Sequence, residues 1–344
     1  MYKHKKISAT SIYRFLDKFY KNYQEQVQRI IYEHSLRILK KLQVVFYDMT
    51  TLYFETEDED DLRKIGFSKD GKFQCPQIML GLLVTEQGYP ITYDIFEGNT
   101  WEGHTLLEVI ERAEKRFKIS KPIIVADSGL LSQSNIIMLS ELGYEFIIGA
   151  RIRNESDIIK KEIQNKLQEI KNNNHAEVVK VVKDKEFRLI VGYSEDRAKH
   201  DVYRRNKGVA KLRKKHNAGY LTKKDICNKG YNKFLSLNCN QIEVTIDENK
   251  IIQDEMWDGL KGYMTNSKMT SEEIQSNYSH LWQIEKAFRI SKTDLRIRPI
   301  YHRKKNRIEA HICIVFATYA VFKELEIKLK NSKLNISVND AVEY

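Results

Sequence analysis

Three acidic residues far apart along the chain, Asp48, Asp127 and Glu285, have the type and surroundings to hold a hard divalent cation. Asp48 and Asp127 each close a short apolar run, 44–47 in one case and 123–126 in the other, and each is followed by small hydroxyl residues, Thr50 and Thr51 or Ser128. Both carboxylates are thereby expected at strand ends, and the crevice beyond the carboxyl ends of the strands is where ligands sit in an open α/β sheet. An Asp in that position also starts turns and caps helices, so spacing alone leaves both roles open. Glu285 carries more information. Tyr278, Glu285 and Lys292 are seven residues apart and drift only about 20° per seven residues around a helix. They share a face with Leu281, Trp282 and Phe288 on or beside it, which sets Glu285 in a largely apolar stripe. A carboxylate buried there needs a partner, because leaving it charged and unpaired is costly. Arg289, four residues on, is one such partner; a bound metal is the other. Two Asp and one Glu suit Mg²⁺, which accepts a few carboxylates and keeps water or phosphate oxygens as its remaining ligands. Two such ions about 4 Å apart activate the attacking oxygen and stabilise the leaving one in phosphoryl transfer.

The elements that must position these residues are legible as patterns. Apolar residues at Ile12, Phe15, Leu16, Phe19, Tyr23, Val27, Ile30 and Ile31 recur with helical period, which predicts one or two amphipathic helices over 10–42. The segments 77–85 and 89–96 read as a hairpin across Glu86-Gln87-Gly88. Helical spacing follows over 103–117, a buried strand over 123–126, a helix over 132–142 and a strand over 144–149. That order describes a mixed α/β sheet. From about 151 to 250 the character changes to charged helix and strand-like patches, which reads as an insertion. Within 197–215 nine Lys or Arg stand against one Asp, with Tyr203 among them; the segment tracks a phosphate backbone or forms a solvated helix. Thr270-Ser271-Glu272-Glu273 has the capping-box pattern, which predicts a helix running to just before Asp294, and the tail from 307 to 329 is again amphipathic.

Composition narrows the partner. The 344 residues are 42% hydrophobic, enough for a sizeable core, and carry a net charge of +11, which favours a polyanion. The four cysteines, Cys75, Cys227, Cys239 and Cys313, have no paired spacing, so neither a zinc site nor a disulfide framework is indicated and a reduced cytosol is expected. The longest apolar run, 312–322, is too short to span a bilayer, and no membrane association is expected. A phosphate-binding Gly-rich loop, a dinucleotide fingerprint and a zinc-protease helix are all missing.

The stretch YSHLWQIEKAFRISK places Tyr278, Glu285 and Lys292 at the spacings of the pattern Y-x2-R-x3-E-x6-K, and 47–55 reads YDMTTLYFE. Further segments follow in order: FEGNTWEGHTL from Phe96, IIVADSGLLS from Ile123, WDGLKGYMTN from Trp257 and RPIYHRKKNRIEAHICI from Arg298. On these motifs the chain resembles the DDE transposases of bacterial insertion sequences, within insertion sequence family four the branch with a β-strand insertion before the catalytic Glu. The Arg of the pattern is replaced by Leu281, with Arg289 or Lys286 as its substitute.

The resemblance implies an RNase H-like mixed sheet with flanking helices, interrupted by a mainly β subdomain. The expected divisions are a helical segment 1–42, a first part of the catalytic core 43–150, the insertion 151–250, and a second part 251–344 with the Glu helix and C-terminal helices. It implies that Asp48, Asp127 and Glu285 bind Mg²⁺, for which Mn²⁺ can substitute, and that Tyr278 and Lys292 contact the element end. Duplex DNA, as element ends and target, is the implied partner, engaged by a homodimer in the bacterial cytoplasm at the chromosome. Arg303, Lys304 and Lys305, with His302 and Arg307, form a basic cluster that either contacts phosphates or is a plain charged surface. Trp257 and Trp282 are expected as core aromatics, with stacking on an extruded base as the other role. Only about 47 residues precede Asp48, where this family carries a separate DNA-binding region. Two other functions therefore stand beside strand cleavage and transfer: a truncated, silent DNA-binding inhibitor, and an RNase H-like nuclease that makes no strand-joined product.

Overall fold

A computed structural model describes residues 7–39, 42–119, 121–130, 132–238, 243–332 and 336–343. The ends of the expected segment 1–42, Leu131 after the second Asp, and Cys239 lie outside these residues. The chain divides into two units, one formed by 1–148 with 266–344 and the other by 149–265.

The first unit opens with α1 (Ala9–Asn22), capped by the Ser8 hydroxyl, and α2 (Gln24–Leu39). Next come β1 (Val44–Tyr53), β2 (Gln77–Thr85) and β3 (Pro90–Glu97). The β2–β3 hairpin turns at Gly88, whose φ of +83° is open to glycine without strain. Then follow α3 (Glu102–Phe117), β4 (Ile123–Ala126), α4 (Gln133–Glu141) and β5 (Phe146–Ala150). The strands order as β3-β2-β1-β4-β5. β2 runs antiparallel to both neighbours, whereas β1, β4 and β5 are mutually parallel. A mixed sheet in this order with flanking helices is an RNase H-like core. β2 is buried at every position, and this fixes the sheet as an inner layer covered on both faces.

The second unit contains α5 (Asp157–Asn165), α6 (Leu167–Asn173), β6 (His175–Val182), β7 (Lys185–Tyr193), α7 (Glu195–Asn217), β8 (Leu235–Asn238), β9 (Glu243–Ile246), α8 (Glu248–Glu255) and β10 (Leu260–Thr265). Where a mainly β insertion is expected, the unit is mixed: α7 alone runs for 23 residues and takes in the whole basic stretch 197–215. Helix is the cheaper form for that composition, because Lys and Arg propagate helix well and their long side chains stay in water. The expected boundary at 250 falls inside this unit, which continues to Thr265 because β10 pairs antiparallel with β7. Ile163, Ile170, Leu189 and Val191 form its core with Trp257, which is buried. Arg205 is buried too, its guanidinium bidentate on Asp258 at 2.6 and 2.7 Å.

The chain returns to the first unit with α9 (Ser271–Ser279), α10 (Trp282–Thr293), α11 (Lys305–Asn331) and α12 (Val338–Glu343). The capping box at Thr270 forms as its residues predict: the Thr270 hydroxyl accepts from the Glu273 amide at 3.2 Å and the Glu273 carboxylate accepts from the Thr270 amide at 2.9 Å. The expected single helix from there to 293 is instead two, broken at His280–Leu281 with neither Gly nor Pro present. No helix among the described residues is long and apolar enough to cross a membrane.

Candidate active site

The parallel pairing of β1 with β4 decides where two of the carboxylates go. Its last pair is Tyr47 with Ala126, so the next residues in register are Asp48 and Asp127, side by side on strands about 4.8 Å apart. Asp48 does not end its strand as expected. It lies inside β1, which continues to Tyr53 because β2 supplies an antiparallel partner along its full length. It is β4 that stops, and Asp127 emerges from its carboxyl end into solvent.

Asp48 is half-buried, and its own strand holds it: the Met49 amide donates to its Oδ1 at 2.7 Å. Burial pushes its carboxyl up to about 6, while Lys69 and the Met49 amide pull it down and the charges of Glu102 and Asp127 add to the rise. The Lys69 Nζ stands 3.7 Å from Asp48 Oδ1 and 2.9 Å from Glu102 Oε1. Glu102 reaches this place from the first turn of α3, which is moored to β1 by the Tyr47 hydroxyl donating to Thr105 Oγ1 at 2.9 Å.

Asp127 has a different support. The hydroxyl of Tyr278, on α9, donates to its Oδ1 at 3.1 Å. Tyr278 is only 4% exposed, and the hydroxyl of this residue, expected to touch DNA, is engaged by the exposed Asp127 carboxylate.

Glu285 is exposed in the first turn of α10, not buried in an apolar stripe. The buried face of that helix runs through Ile284, Ala287, Phe288 and Ser291, with Glu285 one position off it. Extrapolating by sevens from Tyr278 assumed one continuous helix, and the break at His280–Leu281 resets the phase. Arg289 is exposed as well, and among the described residues it forms no ion pair with Glu285. Trp282, expected in the core, is 49% exposed with the Lys286 ammonium over its ring; Lys286 also bonds Glu326.

Lys292, two turns further along α10, donates to both oxygens of Asp70 at 3.2 Å. Burial lowers its pKa and Asp70 opposes that shift. Arg298 binds the same carboxylate at 2.5 Å and lies over the Tyr53 ring. In the basic cluster, Arg303, Lys304 and Lys305 are exposed, whereas Arg307 is spent on Asp17 at 2.8 Å.

Among the described residues no group of three or more His, Cys, Asp and Glu is drawn tightly enough to hold a metal ion. Asp48 and Asp127 come together and Glu285 does not close onto them. The donor set itself fits a hard divalent cation: two oxygen donors of like charge sit adjacent, one of them raised by burial and repulsion, and a cation relieves both penalties. Sequence reasoning missed Lys69, Asp70, Glu102 and Arg298. Glu102 lies within the motif read from Phe96 and Arg298 opens the motif RPIYHRKKNRIEAHICI, whereas Lys69 and Asp70 had no periodic or spacing signal.

Residues 39–321 match the family described as Transposase DDE domain. No curated protein matches the chain. Among solved structures it is similar to the piggyBac transposase synaptic complex with hairpin DNA, at 9% identity and a TM-score of 0.43 over 85% of this chain and 48% of that one. It is similar also to the Mos1 transposase paired-end complex with left transposon end (13%, TM-score 0.23, 42% and 44%) and to the Mos1 mariner paired end complex with Mn (18%, TM-score 0.21, 36% and 42%). The chain spans about half the length of the solved structures it matches.

Proposed function

Because the chain belongs to the transposase DDE-domain family, we propose that it is a DNA transposase of the insertion-sequence type, in the family-four branch, which cuts strands at element ends and joins them to target DNA. The observation that carries this reading is the register of β1 on β4, which sets Asp48 beside Asp127. Together with Glu285 they hold Mg²⁺, for which Mn²⁺ substitutes. When bound, a pair of such ions supplies an activated attacking oxygen and neutralises charge on the leaving one.

The protein's own groups orient and hold. The Tyr278 hydroxyl fixes one oxygen of Asp127 and leaves the other to face outward. Glu285, exposed on α10, completes the set when bound DNA brings that helix's first turn toward the strands. Arg289, Arg303, Lys304 and Lys305 are exposed cations for backbone phosphates, and Lys292 joins them only on leaving Asp70. Water opens the phosphodiester at the element end, and the 3′-hydroxyl so released attacks the opposite strand or a target phosphodiester. Two ends must meet for insertion and each chain carries one site, so the working form is a homodimer on DNA, in the cytoplasm of a bacterium.

The experiment is Mg²⁺-dependent nicking of a duplex that carries an element end, with E285Q as the variant. Loss of nicking and of strand-joined product is expected; wild-type cleavage by that variant removes Glu285 from the mechanism. The open position of Glu285 favours one second reading, a silent chain that binds DNA and inhibits transposition. Gel-shift binding without cleavage under Mg²⁺ or Mn²⁺ decides for it, and cleavage without any joined product decides for a nuclease.

A further inference from the structure

Resting on that reading of the carboxylates, we propose that Lys69 is the resident counter-cation of the Asp48–Asp127 pair and that Glu102 is the acid that parks it, so that a divalent ion enters beside a lysine already tethered elsewhere. Lys69 lies in the connection between β1 and β2. Its amide donates to Thr51 Oγ1 at 3.0 Å, which pins its backbone to β1 three residues past Asp48. From there the side chain reaches back along the strand, and its Nζ donates to the Met49 carbonyl. The same Nζ is 2.9 Å from Glu102 Oε1 and 3.7 Å from Asp48 Oδ1. The first distance is that of a close ion pair; the second is outside hydrogen-bonding range and acts through charge alone. The lysine is therefore hydrogen-bonded to the strand and paired closely with Glu102, and only leans on Asp48.

That asymmetry has a use. Two adjacent carboxylates repel each other, and an ammonium within Coulomb reach stabilises them while no metal is bound. An ammonium bonded directly to Asp48 would occupy the oxygens a metal needs, and it would have to be stripped away. Parked on Glu102, it leaves those oxygens free. Glu102 then acts on the metal site through Lys69: without the Glu102 charge the lysine closes onto Asp48 and competes with the incoming ion.

The test is Mn²⁺ titration of the full chain without DNA, reading free Mn²⁺ by electron paramagnetic resonance, with D48N marking which binding belongs to this site. K69Q is expected to tighten the D48N-sensitive binding about three-fold or more, and E102Q to weaken it by a similar factor, the scale of a screened interaction between charges about 4 Å apart. K69R, which keeps the charge, stays within about two-fold of wild type on the same argument. The double variant is decisive: in the K69Q background E102Q changes affinity by less than about 1.5-fold, because a residue that acts through Lys69 has nothing left to act through. Additive effects in that cycle, or unchanged or weaker binding in K69Q, overturn the proposal. A wild type with no D48N-sensitive binding overturns the metal reading and this inference with it, whereas sensitive binding with the wrong signs sinks the role of Lys69 alone.

Discussion

The aspartates and the glutamate are placed by two different kinds of structure. Asp48 and Asp127 sit on parallel strands whose register is set by hydrogen bonds and by a core of buried apolar residues, so their adjacency is part of folding itself. Glu285 sits on the exposed side of a helix, one position off the buried face, and among the described residues nothing ties its carboxylate to the other two. The sheet fixes the two aspartates by register, whereas in the proposed mechanism the glutamate, exposed on its helix, is the adjustable member. The sheet half also bears a desolvation penalty, evident in the raised carboxyl of Asp48.

The sharpest way to break this comparison is activity. Asp127→Asn and Glu285→Gln are each expected to lower single-turnover strand cleavage in Mg²⁺ by on the order of 10³-fold or more, since a lost charged ligand removes several kcal/mol of transition-state stabilisation. Cleavage by E285Q within tenfold of wild type would show that the two halves are not equal partners.

Stability separates them in the opposite sense. The folded chain keeps a proton on Asp48 up to about pH 6, against the ordinary carboxyl value of 3.8, so between those values the folded state binds more protons than the unfolded one. The contribution of Asp48 to metal-free stability therefore falls as pH rises from 4 to 6 and levels off above. Asp48→Asn removes that penalty, and in urea denaturation at pH 8 it is expected to be more stable than wild type by at most about 3 kcal/mol, with the gain closing toward pH 4.

A smaller effect concerns the tie that holds α10. Asp70→Asn leaves Lys292 and Arg298, 12% and 25% exposed, sharing an uncharged partner, and it is expected to cost about 2 kcal/mol in urea with an unchanged m value. A loss no greater than that of an exposed carboxylate would mean that the helix is held by packing alone. Smallest is Tyr278→Phe, which deletes the bond to Asp127: about 1 kcal/mol of stability, with a cleavage loss well short of that of Asp127→Asn. A larger loss would place Asp127 on the adjustable side.

Much of the sheet was legible because its signals are local. The apolar run before Asp127 and the hairpin over 77–97 appear close to where alternation and turn residues put them. The extension of β1 to Tyr53 was not legible from its own residues, because the antiparallel partner that continues it lies more than 20 residues away. The helix break at His280–Leu281 left no trace of Gly or Pro, and a stripe read across it put Glu285 inside instead of outside. Lys69 and Asp70 were illegible for a further reason: charged residues in connections look like ordinary solvated surface until the fold brings them within 4 Å of other charges or of a strand.

The register of β1 on β4 also bears on how such a gene decays. Side chains alternate between the two sides of a strand, so losing a single codon anywhere in 123–126 would turn the second aspartate toward the opposite side while the reading frame survived. In-frame deletion there should be as inactivating as a stop signal, whereas the same deletion in the connection 55–58, whose residues pair with no strand, would be carried silently from copy to copy.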